Sequence, residues 1–171
     1  MHHVTVFSPR REAAAVAAMT EHNAELIGTL RRRTDALVAA TVGRNTAQAD
    51  EVRVELWQWC RDELLEHVIA EEEALYPRAR AEAAGTLLVD GMLEDHATVR
   101  RLVADLGAAP DAVHAVAAAA GLLVMLETHL KKESEQLLPL LARSPYVSLA
   151  DVVAGLHELA GEDADQLADS A

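Results

Sequence analysis

The stretch His67-Val68-Ile69-Ala70-Glu71-Glu72-Glu73-Ala74-Leu75-Tyr76-Pro77 returns in altered form as His129-Leu130-Lys131-Lys132-Glu133-Ser134-Glu135-Gln136-Leu137-Leu138-Pro139. In both copies a histidine stands four residues before a glutamate and ten before a proline. Residues four apart lie one turn apart on the same face of an α-helix, so each copy aims an imidazole and a carboxylate at one point. A further histidine in helical sequence precedes each copy, His22 the first and His96 the second. Four helices converging on a metal centre is the reading that follows.

The flanking sequence fits helices throughout. Ser8-Pro9 reads as an N-cap and first helical residue. Ala15, Ala18, Met19, His22, Leu26 and Leu30 then keep one helical face up to a stop at Gly43. After Asn45-Thr46 a second helix runs through Val52, Leu56, Trp59, Leu64, His67 and Leu75. Pro77 has no N–H to bond residue 73 and should kink or end it, and Gly85 closes the segment that follows. A third helix is expected over about 86–106 with Gly107 as its stop, and a fourth from about 110 to 141, broken by Ser144-Pro145. Ser148-Leu149-Ala150-Asp151 reads as a capping box with Asp in place of Glu, opening a fifth helix over about 148–160 that ends near Gly161, before an acidic tail, 161–171. The expected fold class is all-α: an antiparallel up-down-up-down four-helix bundle with an additional C-terminal helix, one domain over 1–171 with its bundle core at about 9–142.

Counting from the turns brings His22 level with His67, and His67 level with His96. The last hairpin fits worse. His96 is 11 residues before Gly107, whereas His129 is 19 after Pro110. At 1.5 Å per residue the mismatch is about 12 Å. Either the 107–110 link climbs in extended form or the fourth helix is irregular near Gly121.

Composition narrows the function classes. The chain has 171 residues, 51% of them apolar, enough for a real core. Its single cysteine, Cys60, allows neither a disulfide framework nor a thiolate zinc site within one chain. A formal net charge of −13 and 3% aromatic content argue against a nucleic-acid partner. No apolar run looks as long as the roughly 18 to 20 residues of a membrane span, and Met1-His2-His3-Val4 lacks the layout of a signal peptide. The reading is a soluble, cytoplasmic protein with neither a membrane nor a nucleic-acid partner.

Four imidazoles and two carboxylates are an unusual inventory for a bundle interior. Buried carboxylates cost several kcal/mol each unless paired or metal-bound, and a pair of cations offsets that cost. Nitrogen and oxygen donors without thiolate suit Fe, Mn or Zn over Cu(I), and carboxylates with imidazoles inside a bundle point to a dinuclear iron or manganese site. The offset of four, repeated at Glu133, favours Glu71 over its neighbours Glu72 and Glu73, which read with Glu135 as solvated surface. His114 lies about 22 Å along its helix from His129 and is set aside, as are His157, His2 and His3. Cys60 and the methionines Met19, Met92 and Met125 read as core. Arg100, one turn after His96, either salt-bridges a ligand carboxylate or a bound anion or reaches solvent.

Taken together, His22, the His67/Glu71 copy with Leu75-Tyr76-Pro77, Asp95-His96 and the His129/Glu133 copy with Leu138-Pro139 resemble the hemerythrin-like family, also called the HHE cation-binding domain. The resemblance covers about residues 15–142. It implies a non-haem diiron centre, oxo- or hydroxo-bridged, with His22, His67, His96 and His129 as terminal ligands and Glu71 and Glu133 bridging. Oxygen-carrying members of the family place a second histidine one turn after the third-helix ligand, where this chain has Arg100. Fewer protein ligands leave open metal positions, which favour turnover over reversible carriage. The function expected is therefore reaction with O2, peroxide or NO, with peroxide disproportionation as one enzymatic version. The alternative is a non-catalytic module that binds or senses oxygen or iron.

Overall fold

The computed structural model describes residues 7–155. The expectations for His2, His3, His157, the end of the fifth helix near Gly161 and the tail 161–171 lie outside the described residues. Among the described residues every regular element is helical. They are α1 (Pro9–Val42), α2 (Thr46–Trp59), α3 (Leu65–Ala74), α4 (Tyr76–Arg80), α5 (Gly85–Gly107), α6 (Ala112–Lys132), α7 (Leu138–Ala142) and a short α8 at 149–155. Single π-helical turns, Cys60–Leu64 and Glu133–Leu137, join α2 to α3 and α6 to α7.

Local chemistry accounts for most boundaries, with some differences from expectation. Pro9 opens α1 behind an extended Ser8, but the Ser8 side chain makes no capping bond. Gly43 stays right-handed at φ −68°. The left-handed residue of that turn is Arg44, at φ 56°. Asn45 caps α2 by accepting from the Gln48 N–H, and Asp111 caps α6 by accepting from Val113 and His114. Pro77 sits in the first turn of α4, where a missing N–H is harmless, and the α3–α4 break falls just before it. Gly85 opens α5 instead of closing the segment before it. A Cβ there would lie 1.7 Å from the Ala79 carbonyl oxygen, so the two backbones meet where only glycine fits.

The π turns explain the spacing of the inward positions. Leu56, Cys60, Leu64 and Val68 are all buried, as are His129, Glu133, Leu137 and Leu141. A strict repeat of four drifts around a 3.6-residue helix, and a π turn absorbs the extra residue. The second copy thereby keeps Glu133 and Leu137 pointing inward together.

Paired contacts run in opposite order along neighbouring helices. Asn23 meets Glu133 and Arg31 meets Glu127 between α1 and the α6 segment. Glu72 meets Arg100 and Arg80 meets Asp90 between α3–α4 and α5. His96 meets His129 and Leu102 meets Gly121 between α5 and α6. The last pair settles the misfitting hairpin. The fourth helix runs unbroken past Gly121, and residue 116 comes about level with Gly107, so the first turn of α6 extends beyond the end of α5. Asp111, at φ −157° and ψ 171°, is the extended step of that link.

Two apolar clusters fill the interior, each fully buried leucine contributing about 1.5–3 kcal/mol. One holds Leu30, Leu37, Leu56, Leu64, Leu106 and Leu122. The other gathers Met19, Leu75, Tyr76, Met92, Leu138 and Leu149. On α3, α5 and α6 the polar residues Glu71, His96 and His129, with Glu133 beyond them, sit at the level between the clusters.

The continuous segment Ala112–Ala142 has a window of mean hydropathy 1.5 and is by length and composition able to cross a membrane, which corrects the expectation that no such run exists. Its stripe Ala115, Ala119, Leu122, Leu126 and Leu130 is buried against the other helices, as expected of a core helix.

At the far end, Ser148 accepts from the Asp151 N–H as an N-cap should. The reciprocal half of the expected capping box differs. Asp151 turns outward to Arg11, and Glu12 of α1 caps the helix start in another way. Glu12 accepts from the N–H groups of Leu149 and Ala150 and from the Ser148 hydroxyl.

Candidate metal centre

The two sequence copies supply the two halves of one buried cluster. Glu71, His96 and His129 place ligand atoms within 4.8 Å of one another, and so do His67, Glu71 and Glu133. Glu71 belongs to both groups. Its Oε2 lies 3.2 Å from His96 Nε2 and 3.4 Å from His129 Nε2, while its Oε1 lies 2.8 Å from His67 Nε2. The two Nε2 atoms of His96 and His129 are 3.0 Å apart.

Outer partners set the orientation of the imidazoles. His96 presents Nδ1 to Glu72 at 2.8 Å, and Glu72 is gripped by both guanidinium nitrogens of Arg100 at 2.9 and 2.8 Å. His129 presents Nδ1 to Asp95 at 3.3 Å, with Lys132 pairing to the same carboxylate. A carboxylate at Nδ1 holds the proton there and leaves the Nε2 lone pair facing inward. Glu72 is therefore not the solvated surface its neighbours suggested, whereas Glu73 and Glu135 are exposed. Arg100 pairs with a carboxylate, but with Glu72 and not with either of the expected ligands Glu71 and Glu133.

His22 differs from expectation in placement. The inward face of α1 runs through Met19, Asn23, Leu26 and Leu30, so His22 lies at its exposed edge. Its ring still approaches His67, with centroids 5.2 Å apart. The inward position belongs to Asn23, whose Nδ2 donates to Glu133 Oε2 at 2.9 Å. Asn23 carried no signal beyond its helical spacing from Met19 and Leu26. Tyr76 also enters the cluster, with its hydroxyl 3.0 Å from His96 Nε2 and 3.4 Å from Glu71 Oε2. The sequence signal lay in the comparison of copies, where Tyr76 answers to Leu138.

Burial and the contacts among these side chains set their electrostatics. Burial pushes Glu71 upward, but the His67 charge and contacts with His129, His67 and His96 outweigh it and hold the carboxyl well below its usual range. Glu133 is driven the other way, by burial and then by the charge of Glu71, with Asn23 opposing. For His67, burial disfavours the charged ring, yet Glu71's charge and proximity together raise its pKa. Burial, with the charges of Glu71 and Glu133, raises the Tyr76 phenol.

Among the described residues, five buried side-chain polar atoms lack a hydrogen-bond partner, and three of them are His67 Nε2, Glu71 Oε1 and Glu133 Oε1. His67 Nε2 and Glu71 Oε1 are close but not aligned on each other. Buried acceptors left unmade cost about 1–3 kcal/mol each, and a shared cation satisfies all three. The donor set therefore fits a metal.

Other candidates fall outside. Cys60 is buried in the first apolar cluster, and burial pushes its thiol up to about 12 against the pull of Arg33, so it stays a packed thiol. His114 is exposed and bonds Asp111 at the start of α6.

The description "Hemerythrin HHE cation binding domain" matches residues 14–141. The chain belongs to that family, a class of cation-binding helical module. No curated protein and no solved structure gave a match.

Proposed function

We propose that the protein is a non-haem diiron redox protein of the hemerythrin-like family that reacts with O2, peroxide or NO. The helices are read as running up-down-up-down, supported by the reversed order of contacts along three neighbouring pairs. His96 and His129 hold one iron, His67 and His22 the other, and Glu71 and Glu133 serve both. One observation carries this reading: Glu71 is shared by two ligand groups, and the orphaned donor atoms of the second group converge beside it.

When bound, two irons supply the electrons and open coordination positions that such small oxidants require. The chain's own residues prepare the rest. Glu72 and Asp95 keep the Nδ1 protons of His96 and His129 in place, so both rings present unprotonated Nε2. Asn23 donates to Glu133 Oε2, which fixes the carboxylate and leaves Oε1 without a protein partner. Leu75, Met92, Leu126 and Leu130 flank the ligands and keep bulk water out. Arg100 stands where oxygen-carrying relatives have a further histidine, and it faces Glu72. The reading therefore favours turnover over carriage.

Metal analysis tests the reading. Untagged protein from iron-replete cells should carry about two irons per chain, and only trace iron would refute it. Peroxide added to the iron-loaded protein, with gas evolution and the absorption spectrum followed together, should show consumption of peroxide. A stable adduct without consumption would favour a binding or sensing module.

A further inference from the structure

We infer that Tyr76 is an additional protein ligand, a phenolate completing the iron site formed by Glu71, His96 and His129. The inference rests on the diiron reading and deepens it.

The argument is geometric. With metal–donor bonds of about 2.1 Å, neighbouring vertices of an octahedron are about 3.0 Å apart. His96 Nε2 and His129 Nε2 stand 3.0 Å apart, and Glu71 Oε2 is 3.2 and 3.4 Å from them. Those three atoms are spaced as adjacent vertices around one centre. The Tyr76 hydroxyl oxygen is 3.0 Å from His96 Nε2 and 3.4 Å from Glu71 Oε2, the same spacing again. As a hydrogen-bond donor the hydroxyl reaches Glu71 Oε2 at a long 3.4 Å, while its nearer neighbour, at 3.0 Å, is the Nε2 of His96 that Glu72 prepares for the metal by holding Nδ1–H.

Burial agrees with this placement. Tyr76 is 2% exposed, its ring stacks at 20° on His96, and the start of α4 locks its backbone beside Pro77. The matched position in the second copy is Leu138, packed in the apolar cluster, so only one of the two iron sites gains an oxygen donor. The two sites are thereby unlike: one carries a hard anionic oxygen from Tyr76, the other the imidazoles of α1 and α3. Coordination breaks the phenol O–H bond, releases that proton to solvent and transfers no electron.

Absorption and resonance Raman spectroscopy of the protein loaded with ferric iron test the assignment. A phenolate on iron(III) gives a visible charge-transfer band and enhanced tyrosinate ring modes. The chain has two tyrosines, and the other, Tyr146, is 79% exposed. The expected result is a band present in the wild type and in Tyr146→Phe but absent in Tyr76→Phe, at unchanged iron content of Tyr146→Phe. Two irons per chain with no such band in the wild type overturns the inference while leaving the diiron reading intact. A band that survives Tyr76→Phe overturns it as well. Failure of the wild type to hold iron defeats both, and iron analysis of the same samples tells these outcomes apart.

Discussion

Glu72 is the sharpest test of how the site is built, because it touches the centre only through His96. Its Oε1 accepts from His96 Nδ1 at 2.8 Å, and His96 is fully buried with no solvent to replace that acceptor. Replacing Glu72 by Ala leaves the buried N–H unpaired, a loss of about 1–3 kcal/mol in the metal-free protein. The Arg100 pairing adds little, since Arg100 is 40% exposed and surface ion pairs contribute about 0–1 kcal/mol. At about 2–4 °C per kcal/mol for a chain of this size, the metal-free melting temperature should fall by about 2–12 °C. Loss of a carboxylate behind a metal-binding histidine typically costs about 10–100-fold in metal affinity, or about 1.4–2.8 kcal/mol. Only the iron held by His96 should weaken, because Glu72 makes no contact with His67 or Glu133. Titration against a competing chelator reads the two affinities. An affinity unchanged within about threefold, or an equal loss at both irons, would refute the reasoning. Glu72→Gln keeps an acceptor without the charge and should fall between wild type and Glu72→Ala.

Three further outcomes follow from the same geometry. Glu71→Gln should lose both irons together, whereas His22→Ala should mainly empty one, as counted by metal analysis of the purified variants; a Glu71→Gln protein retaining both irons would remove the shared-bridge assignment. In chelator-stripped protein, stability should fall as pH rises from about 6 to 8. Glu133, whose folded pKa is raised, binds more protons folded than unfolded above the ordinary glutamate range, and His67, also raised, loses its contribution as pH climbs through its folded value. The depressed Glu71 matters only in acid, as pH falls through its folded value. Thermal melts at constant ionic strength check the trend, and a rising melting temperature would contradict it. Glu12→Ala removes the acceptor for the Leu149 and Ala150 N–H groups and should cost about 1–2 kcal/mol, seen as faster amide exchange confined to 149–155.

Much of this protein is legible without coordinates because its helices announce themselves through short-range rules. Proline, asparagine and aspartate at the helix starts, and the paired His-to-Glu offset, depend only on residues within a turn of each other. That is why α1, α2, α5 and α6 and the glutamate at each copy could be read directly. The π turns were also written locally, in the unbroken four-residue spacing of His129, Glu133, Leu137 and Leu141, but the motif disguised that spacing as ordinary helix.

What required the tertiary structure is whatever depends on rotation of one helix against another. A small turn of α1 about its axis exchanges His22 for Asn23 as the inward residue, and helical periodicity does not distinguish adjacent positions at the edge of an apolar face. Glu72 and Asp95 became partners of the imidazoles only once α3, α5 and α6 were packed, since each bond joins residues 24 or 34 positions apart. Glu12 caps the start of α8 from 136 to 138 positions away, across a contact that no local motif encodes. Local sequence thus selects the helices and the ligand types, while the packing of those helices selects which side chains orient the ligands.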